Sequence, residues 1–446
     1  MISPRRVVPA GLAGRRCCVA LSFIVAAFVV SSTFTVGRSA GQTSFAYVPH
    51  EWIVIEVDSE FTGSNGVTQG TGTSDDPYVI ENWEAPITVR NTTSHLLIRN
   101  MLIIGEQVNL WYAGGLELKN VTNCTVERCW KQAPPFEDFT WFRVQYCSDI
   151  KILMNRIETD VDISNSNRVT FQGNAVVYNG IMVKSSSEVV VKDNRIIDPS
   201  MLHDPGLGIV ASSSHDVLIE NNYLLRRTAH LLPSRGISLD SSTGVLVDHN
   251  FILSFHVLAV DDRGAENAWN MAYPIGGNYW TNYTGADMFS GPDQDMPGPD
   301  GFGDAPLVID DNSSDSYPIY LEAAPNCPPF AFFSVWPSSG DATTLFWFEA
   351  YGSVDPENGT GIEARWSWDG GEGWTPWGSD LEAQNMFTTP GWQDVRLEVR
   401  DGLGATNSSS MSIYVSEAIP EFESVLVPVV AMLLVAAMMT AARRRT

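Results

Sequence analysis

From residue 95 to 280 the chain repeats one phrase, a short alternating apolar run closed by a polar position. The copies read SHLLIRNMLI, NCTVERCWK, DIKILMNRIE, RVTFQGNAVV, EVVVKDNRII, DVLIENNYLL, GVLVDHNFIL and PIGGNYW. The closing positions are Asn100, Cys129, Asn155, Asn174, Asn194, Asn222, Asn250 and Asn278, at steps of 29, 26, 19, 20, 28, 28 and 28 residues. A period in this range marks a solenoid, and alternation with period 2 makes each unit a strand. In GIMVKSSSEVVVKDNRII, Ile181 and Val183 alternate with Met182 and Lys184, Ser185 to Ser187 turn the chain, and Val189 and Val191 follow. Asn194 turns it again before Ile196. Two or three short strands per coil predict a parallel β-helix, its coils about 4.8 Å apart around one continuous core. Asn tolerates the left-handed backbone of tight corners, and stacked Asn side chains bond to one another. Asn155, Asn174, Asn194, Asn222 and Asn250 are therefore expected to form a structural ladder.

Past Pro325, Pro328 and Pro329 the pattern changes to short alternating strands between turn signals: FAFFSVW, TLFWFEAYGS, IEARWSWD, QDVRLEVRD and SSMSIYV. This spacing predicts a small β-sandwich. Trp366 and Trp368 alternate with Arg365 and Ser367, which places both on the core side. Trp374 and Trp377 lie in a Gly/Pro-rich loop, either as binding aromatics for sugar stacking or packed over the sandwich.

The repeat phrases resemble the right-handed β-helix repeats of the NosD-like and pectate-lyase-like families. GVTQGTGTSDDPYVIENW (66–83), GGNYWTNYTGAD (276–287) and DGFGDAPLVIDDNSSDSYPI (300–319) resemble the opening and closing segments of archaeal NosD-like surface proteins. The resemblance covers roughly residues 50–322. In the second region Gly352-Ser353-Val354-Asp355-Pro356, Arg365 to Gly370, Pro390-Gly391-Trp392, Val395 to Val399 and Asp401 to Gly404 resemble a PKD domain, an immunoglobulin-like module of surface proteins. That likeness implies spacing or protein and glycan contact, not catalysis. The expected class is all-β, a right-handed parallel β-helix followed by a PKD-like sandwich, with hydrophobic segments at both termini. The expected division is a signal peptide or signal anchor (1–40), an N-terminal cap and opening segment (41–94), and coils (95–285). An Asp-rich closing segment and linker (286–327), the sandwich (328–416) and a C-terminal signal or anchor (419–446) follow.

Charge and termini bear on location. With 27 basic against 52 acidic residues the formal net charge is −25, which excludes nucleic acid as a natural partner because such binding needs a basic face. An apolar run at 17–36 follows Arg15 and Arg16 and reads as a signal peptide or signal anchor. A second apolar run at 425–442 ends in Arg443, Arg444 and Arg445, so its C-terminus is expected in the cytoplasm. Ile419-Pro420-Glu421-Phe422 before it resembles the PEF sorting signal of archaeal surface proteins. Either a processed tail or a membrane anchor places the protein at the cell surface, its partners surface polysaccharide or envelope proteins. N-x-S/T sequons at Asn91, Asn282, Asn312, Asn358 and Asn407 are candidate glycosylation positions, and Asn120 and Asn123 sit beside a coil turn. Cys124, Cys129, Cys147 and Cys327 follow neither a disulfide-scaffold nor a zinc spacing. Cys124 is expected in the core, and a Cys129–Cys147 bridge is compatible with an exported protein.

Three kinds of chemistry are open to these residues. Asp293, Asp295, Asp300 and Asp304 in the closing segment are either calcium ligands, since hard cations take oxygens from flexible loops, or a solvated acidic cap. At the 28-residue offset Lys184, Ser212 and Asp240 share a column, with Asp261 or Asp262 in the next coil and Arg235, Arg263, His203 and His256 around them. Two carboxylates on adjacent coils about 5 Å apart have the spacing of a retaining glycosidase, so Asp240, Asp261 and Asp262 are the catalytic candidates. The seven histidines show no copper-ligand spacing. The expectation is a non-catalytic surface module that binds glycans or neighbouring proteins. The alternatives are a polysaccharide lyase or glycoside hydrolase, and a purely structural envelope component.

Overall fold

The computed structural model describes residues 47–416, apart from 109–110, 134–138, 178–179, 199–206, 227–233, 263–265, 322–324, 338 and 360. The apolar runs at 17–36 and 425–442 and the PEF-like motif lie outside these residues. The fold is all-β, a parallel β-helix followed by a β-sandwich. Each full coil carries three short strands, one for each of three sheets. In the coil read above they are Ile181–Lys184, Ser187–Lys192 and Arg195–Asp198. Parallel pairing sets Ile181 beside Ile209, Val189 beside Val217 and Ile196 beside Leu224 in the next coil. Alternation buries one side chain in two: Ile181, Val183, Val189, Val191 and Ile196 are all fully buried in one continuous core. The sheet that carries Ile196 has ten strands, from Val48–Pro49 to Tyr279–Trp280. Pairing thus begins at Val48, ahead of the first repeat phrase, because Ile53–Ile55 already pairs with Ile87–Thr92. Short 3-10 turns at Asp58–Glu60 and Gly63–Asn65 interrupt the alternation there and hide the early coils in the sequence.

Two hydrogen-bond ladders run along the solenoid. Asn155, Asn174, Asn194, Asn222 and Asn250 are fully buried. Asn194 Oδ1 accepts the Asn174 backbone N–H at 2.9 Å and its side-chain amide at 3.1 Å. Asn222 Oδ1 does the same for Asn194, at 3.0 and 2.9 Å. Asn194 Nδ2 also donates to Phe171 O at 2.9 Å. The left-handed residue at each of these corners is the one before the Asn: Met154, Gly173, Asp193, Asn221 and His249 have φ between 53° and 67°. Of the two reasons the sequence offers for the Asn, the stacked side-chain bonding holds, and the left-handed backbone belongs to the preceding residue.

The second ladder, unread in the sequence, joins Ser166, Ser186, Ser214 and Ser242. Ser186 Oγ accepts the Ser166 N–H at 3.1 Å, Ser214 Oγ accepts Ser186 N–H at 3.2 Å, and Ser242 Oγ accepts Ser214 N–H at 3.1 Å. Each ladder reaches a cysteine at its N-terminal side. Asn155 Oδ1 accepts Cys129 N–H at 2.8 Å, and Ser166 Oγ accepts Cys147 N–H at 3.1 Å. The thiols donate two residues back, Cys129 to Glu127 O and Cys147 to Gln145 O, as Ser186 Oγ does to Lys184 O. Burial pushes these thiols up to about 12 and about 11, so they stay protonated donors. All four described cysteines are free, so no Cys129–Cys147 bridge forms.

Asp315 ends the asparagine ladder. Its Oδ2 accepts Asn278 N–H at 2.7 Å and Trp280 Nε1–H at 2.8 Å, and its Oδ1 accepts Tyr317 N–H at 3.1 Å. It is fully buried, and burial outweighs these donors and lifts its carboxyl to about 6.

The sandwich packs a three-stranded sheet (Ser334–Trp336, Leu345–Glu349, Glu382–Met386) on a four-stranded one (Ser339–Asp341, Thr406–Ser416, Gly391–Arg400, Glu363–Ser367). Phe346, Phe348, Val395, Leu397 and Trp366 fill its core, and Trp368 stacks on Trp366 with ring centroids 5.8 Å apart. The sandwich rests on the outer face of the ten-stranded sheet. Phe330, Phe332 and Val354 bury Ala175 and Ile197, and Arg156 and Arg195 donate to Gly352 O and Pro328 O at 3.3 and 3.0 Å.

Replacing Asn194 with Ala orphans the backbone N–H of Asn174 and one of its two side-chain amide N–H groups, the other staying on Ile152 O. At about 1–3 kcal/mol for each buried unpaired donor, the loss is about 3 kcal/mol. The urea midpoint of Asn194→Ala should fall accordingly, while Asn282→Ala, at an exposed position, leaves it unchanged. A loss under about 1 kcal/mol would remove the ladder from the list of stabilising features.

Candidate functional site

The β-helix column named from the sequence is in register. Lys184 pairs with Ser212, Ser212 with Asp240, and Asp240 with Asp262. Asp240 and Asp262 are exposed neighbours on adjacent coils, and Asp240 Oδ1 accepts the Ser241 hydroxyl at 3.1 Å. Asp261 faces the other way, since successive side chains in a strand alternate. It pairs with the buried core residue Leu239. Its Oδ1 accepts Asn267 Nδ2–H at 3.0 Å, and its Oδ2 accepts Trp269 Nε1–H at 3.1 Å and Ser313 Oγ–H at 3.0 Å. Asp261 therefore caps the end of the core, and the structure brings together only Asp240 and Asp262. Arg235 begins the strand Arg235–Asp240, about 17 Å from Asp240 at about 3.3 Å per residue. His256 bonds Ser234 Oγ through Nδ1 at 3.0 Å. His203 and Arg263 lie outside the described residues.

The closing-segment carboxylates are engaged in folding their own loop. Asp287 accepts the N–H groups of Asp300 and Gly301 at 3.0 and 2.9 Å. Asp300 accepts Gly291 N–H and Gln294 Nε2–H at 3.2 and 3.0 Å. Asp304 accepts Met288 and Phe289 N–H at 3.0 and 2.9 Å. Asp293 and Asp295 are exposed. Among the described residues no three His, Cys, Asp or Glu side chains are grouped to hold a metal ion.

A tighter anionic pair stands where the sandwich meets the β-helix. Asp355 is fully buried, and Glu357 Oε1 accepts the Tyr223 hydroxyl and, at 3.0 Å, the Cys327 N–H. Asp355 Oδ1 and Glu357 Oε2 are buried with no hydrogen-bond partner. Burial, and then the nearby carboxyl of Glu357, hold the Asp355 carboxyl above the ordinary range. A shared proton or a hard cation relieves such a pair.

Lys131 is a second buried charge, missed in the sequence reading. It occupies the inward column Ile103, Lys131, Ile157, Val176, Ile196 and is fully buried. Two places after each closing position from Cys129 onward stands an apolar residue, except here, and that alignment is the signal that reveals it. Nζ donates to Gln132 O at 2.6 Å. Burial lowers it to about 8, against a smaller opposing pull from Glu158.

On the sandwich, Trp374 and Trp377 are half-buried and already occupied. The Arg365 guanidinium lies 4.7 Å from the Trp374 ring centre and 4.5 Å from that of Trp377, and Arg400 lies 4.5 Å from the latter. They pack over the sheet as a stacked cation–π row. The exposed aromatics are elsewhere. Trp392 and Tyr414 face each other across paired strands, 71 % and 49 % exposed, with ring centroids 5.3 Å apart. Two pairs along, on the same face, Asp394 accepts the Ser412 hydroxyl at 2.6 Å. Of the sequon asparagines, Asn91, Asn282, Asn312 and Asn358 are exposed and Asn407 is half-buried. Asn91 Oδ1 accepts Asn120 Nδ2–H at 3.0 Å.

These features define a parallel β-helix carrying a sandwich on one sheet. Residues 69–285 are similar to the family described as "Periplasmic copper-binding protein (NosD)". No curated protein matches the chain. One similar solved structure is described as "Structural basis for the promiscuous specificity of the carbohydrate-binding modules from the beta-sandwich super family". It shares 24 % identity over 22 % of this chain and 38 % of that one, with a TM-score of 0.20. The PKD1 domain of Vibrio anguillarum Epp shares 22 % identity over 21 % of this chain and 99 % of its own, with a TM-score of 0.17.

Copper does not fit the described residues. Copper sites need clustered imidazole or sulfur ligands. His249 is turned to Asp248 at 2.9 Å and His256 to Ser234, and the core thiols are held protonated. Among the described residues no helix is long and apolar enough to cross a membrane.

Lys131 sets a pH dependence. Its folded value of about 8 lies below the ordinary 10.5, so between these values the unfolded chain binds more proton and stability rises with pH. At neutral pH the buried charge costs about 3 kcal/mol. Lys131→Met should raise stability by about that much at pH 7 and flatten the rise from pH 8 to 10.5 in urea titrations. A variant no more stable than the parent would show the ammonium to be adequately solvated.

Proposed function

We propose that the protein is a non-catalytic β-helix module of the cell surface that binds glycans through the four-stranded sheet of its sandwich. The observation that carries this reading is the exposed Trp392–Tyr414 pair with the Asp394–Ser412 bond beside it. A sugar ring offers an apolar face for stacking and hydroxyls that both donate and accept, which is the complement of aromatic rings flanked by polar groups. The net charge of −25 favours neutral over anionic chains. Attachment is through the C-terminal segment, and envelope proteins are the other partners the reading allows.

The test is retention on insoluble cellulose, chitin and mannan. Trp392→Ala with Tyr414→Ala should weaken retention about tenfold, which is about 1.4 kcal/mol, without moving the urea midpoint. Unchanged retention would overturn the reading. The in-register pair Asp240 and Asp262 favours a second reading, glycoside hydrolysis, which requires reducing ends to be released by the parent and not by Asp262→Asn.

Calcium is proposed at the Asp355–Glu357 pair in place of Asp293, Asp295, Asp300 and Asp304, because Asp355 Oδ1 and Glu357 Oε2 are buried without a hydrogen-bond partner and none of those four carboxylates keeps such an oxygen. Neutralising the pair should raise the unfolding midpoint at pH 8 in millimolar calcium. The gain should vanish in Glu357→Gln and persist in Asp293→Asn with Asp295→Asn. A gain lost in the latter variant would return the cation to the closing segment.

A further inference from the structure

The outer face of the ten-stranded sheet is not fully covered by the sandwich. Beneath the linker lies a cavity of about 310 Å³, within the size range of small-ligand sites. Its floor is aromatic. Phe251, half-buried, and Tyr223 come from adjacent coils, with ring centroids 6.4 Å apart and planes tilted by 32°. Pro325 and Pro328 form the facing wall. The rim is polar. Asp193 and Asn221 stand at successive left-handed corners, φ 57° and 53°, and Asn221 Nδ2–H donates to Asp193 Oδ1 at 2.6 Å.

We propose that this cavity binds one neutral sugar unit, a hexose or N-acetylhexosamine, as a second contact for the glycan held by the sandwich; the proposal rests on the glycan-binding reading. The aromatic floor takes the apolar face of a pyranose ring. The rim alternates an acceptor, Asp193, with a donor and acceptor, Asn221, which matches hydroxyls that do both. Anionic sugars are opposed by Asp193 and by the net charge, while Arg195, the one cation of the lining, is tied to Pro328 O at 3.0 Å. An extended peptide is disfavoured because the facing wall offers prolines, which have no N–H for backbone pairing.

The experiment is saturation-transfer NMR on the full chain with methyl glucoside, methyl mannoside and N-acetylglucosamine, read beside retention on the insoluble polysaccharides. Asn221→Gly removes the amide and keeps the left-handed corner free of strain, and Phe251→Leu keeps an apolar floor without a ring. We expect at least one monosaccharide to bind the Trp392→Ala, Tyr414→Ala background, in which the sandwich contact is removed, and each cavity variant made in that background to weaken it about tenfold. Asp293→Asn serves as the folded control. Monosaccharide binding that persists in both cavity variants overturns the cavity site. If polysaccharide retention still depends on Trp392, the sandwich reading survives that failure. No binding by the parent in either assay removes both.

Discussion

A solenoid buries the corners of its own backbone, and the amide donors at those corners must be paired inside the protein. That requirement governs this molecule more than the apolar core does. A strand's N–H groups are paired by the neighbouring strand, but at a corner the chain changes sheet and the ladder of backbone bonds breaks. An unpaired buried donor costs about 1–3 kcal/mol, and a stack of coils repeats the deficit at every level. The chain meets it with side chains of fixed reach. The Asn amide accepts two bonds from the coil before and donates twice. The shorter Ser hydroxyl accepts one N–H and donates to a carbonyl two residues back. The ladders end where this chemistry is no longer required, on cysteine thiols at one end and, for the asparagines, on the Asp315 carboxylate at the other.

The same geometry explains why the sandwich sits where it does. In the sheet that carries Ile196, the outward column runs Trp130, Arg156, Ala175, Arg195, Tyr223, Phe251, Tyr279. Such a face is too apolar to leave in water, and runs hydrophobic on both sides are what a doubly covered parallel sheet shows. Phe330, Phe332 and Val354 cover its middle. The two arginines in the column donate to sandwich carbonyls and so fix its placement. Where the cover thins, toward Tyr223 and Phe251, the cavity under the linker remains.

The parallel β-helix and the appended sandwich were legible in the sequence because both rest on period-2 alternation, which a linear reading captures. The signals that failed are those in which one residue type serves two ends. Asparagine at a turn suggests both backbone freedom and side-chain stacking; the stacking holds, yet the left-handed residue is its predecessor. Asp261 and Asp262 are adjacent in sequence and look alike as candidate acids. Alternation sends one to solvent and the other to Trp269, Asn267 and Ser313. Trp374 and Trp377 in a Gly/Pro loop suggest open rings, but a guanidinium from the neighbouring strand occupies them. The exposed pair, Trp392 and Tyr414, lies in alternating strands and gave no local signal. The cavity joins residues over a hundred positions apart and leaves no trace in any local pattern.

Buried charge at Lys131 and at the Asp355–Glu357 pair runs against the economy of the rest of the fold. A compact globular core would pay for each directly in its overall stability. In a solenoid the accounting is local, because each coil contacts chiefly its neighbours and the total is close to a sum of coil and interface terms. Lys131 sits between Ile103 and Ile157, both fully buried, in coils whose other columns are uninterrupted. Its cost is therefore spread over two interfaces already held by backbone pairing and by the ladder start at Cys129. Asp355 and Glu357 are likewise placed at the joint and not within either core. Repetition gives this chain room for locally unfavourable charges, and it keeps them at the edges of its most regular region.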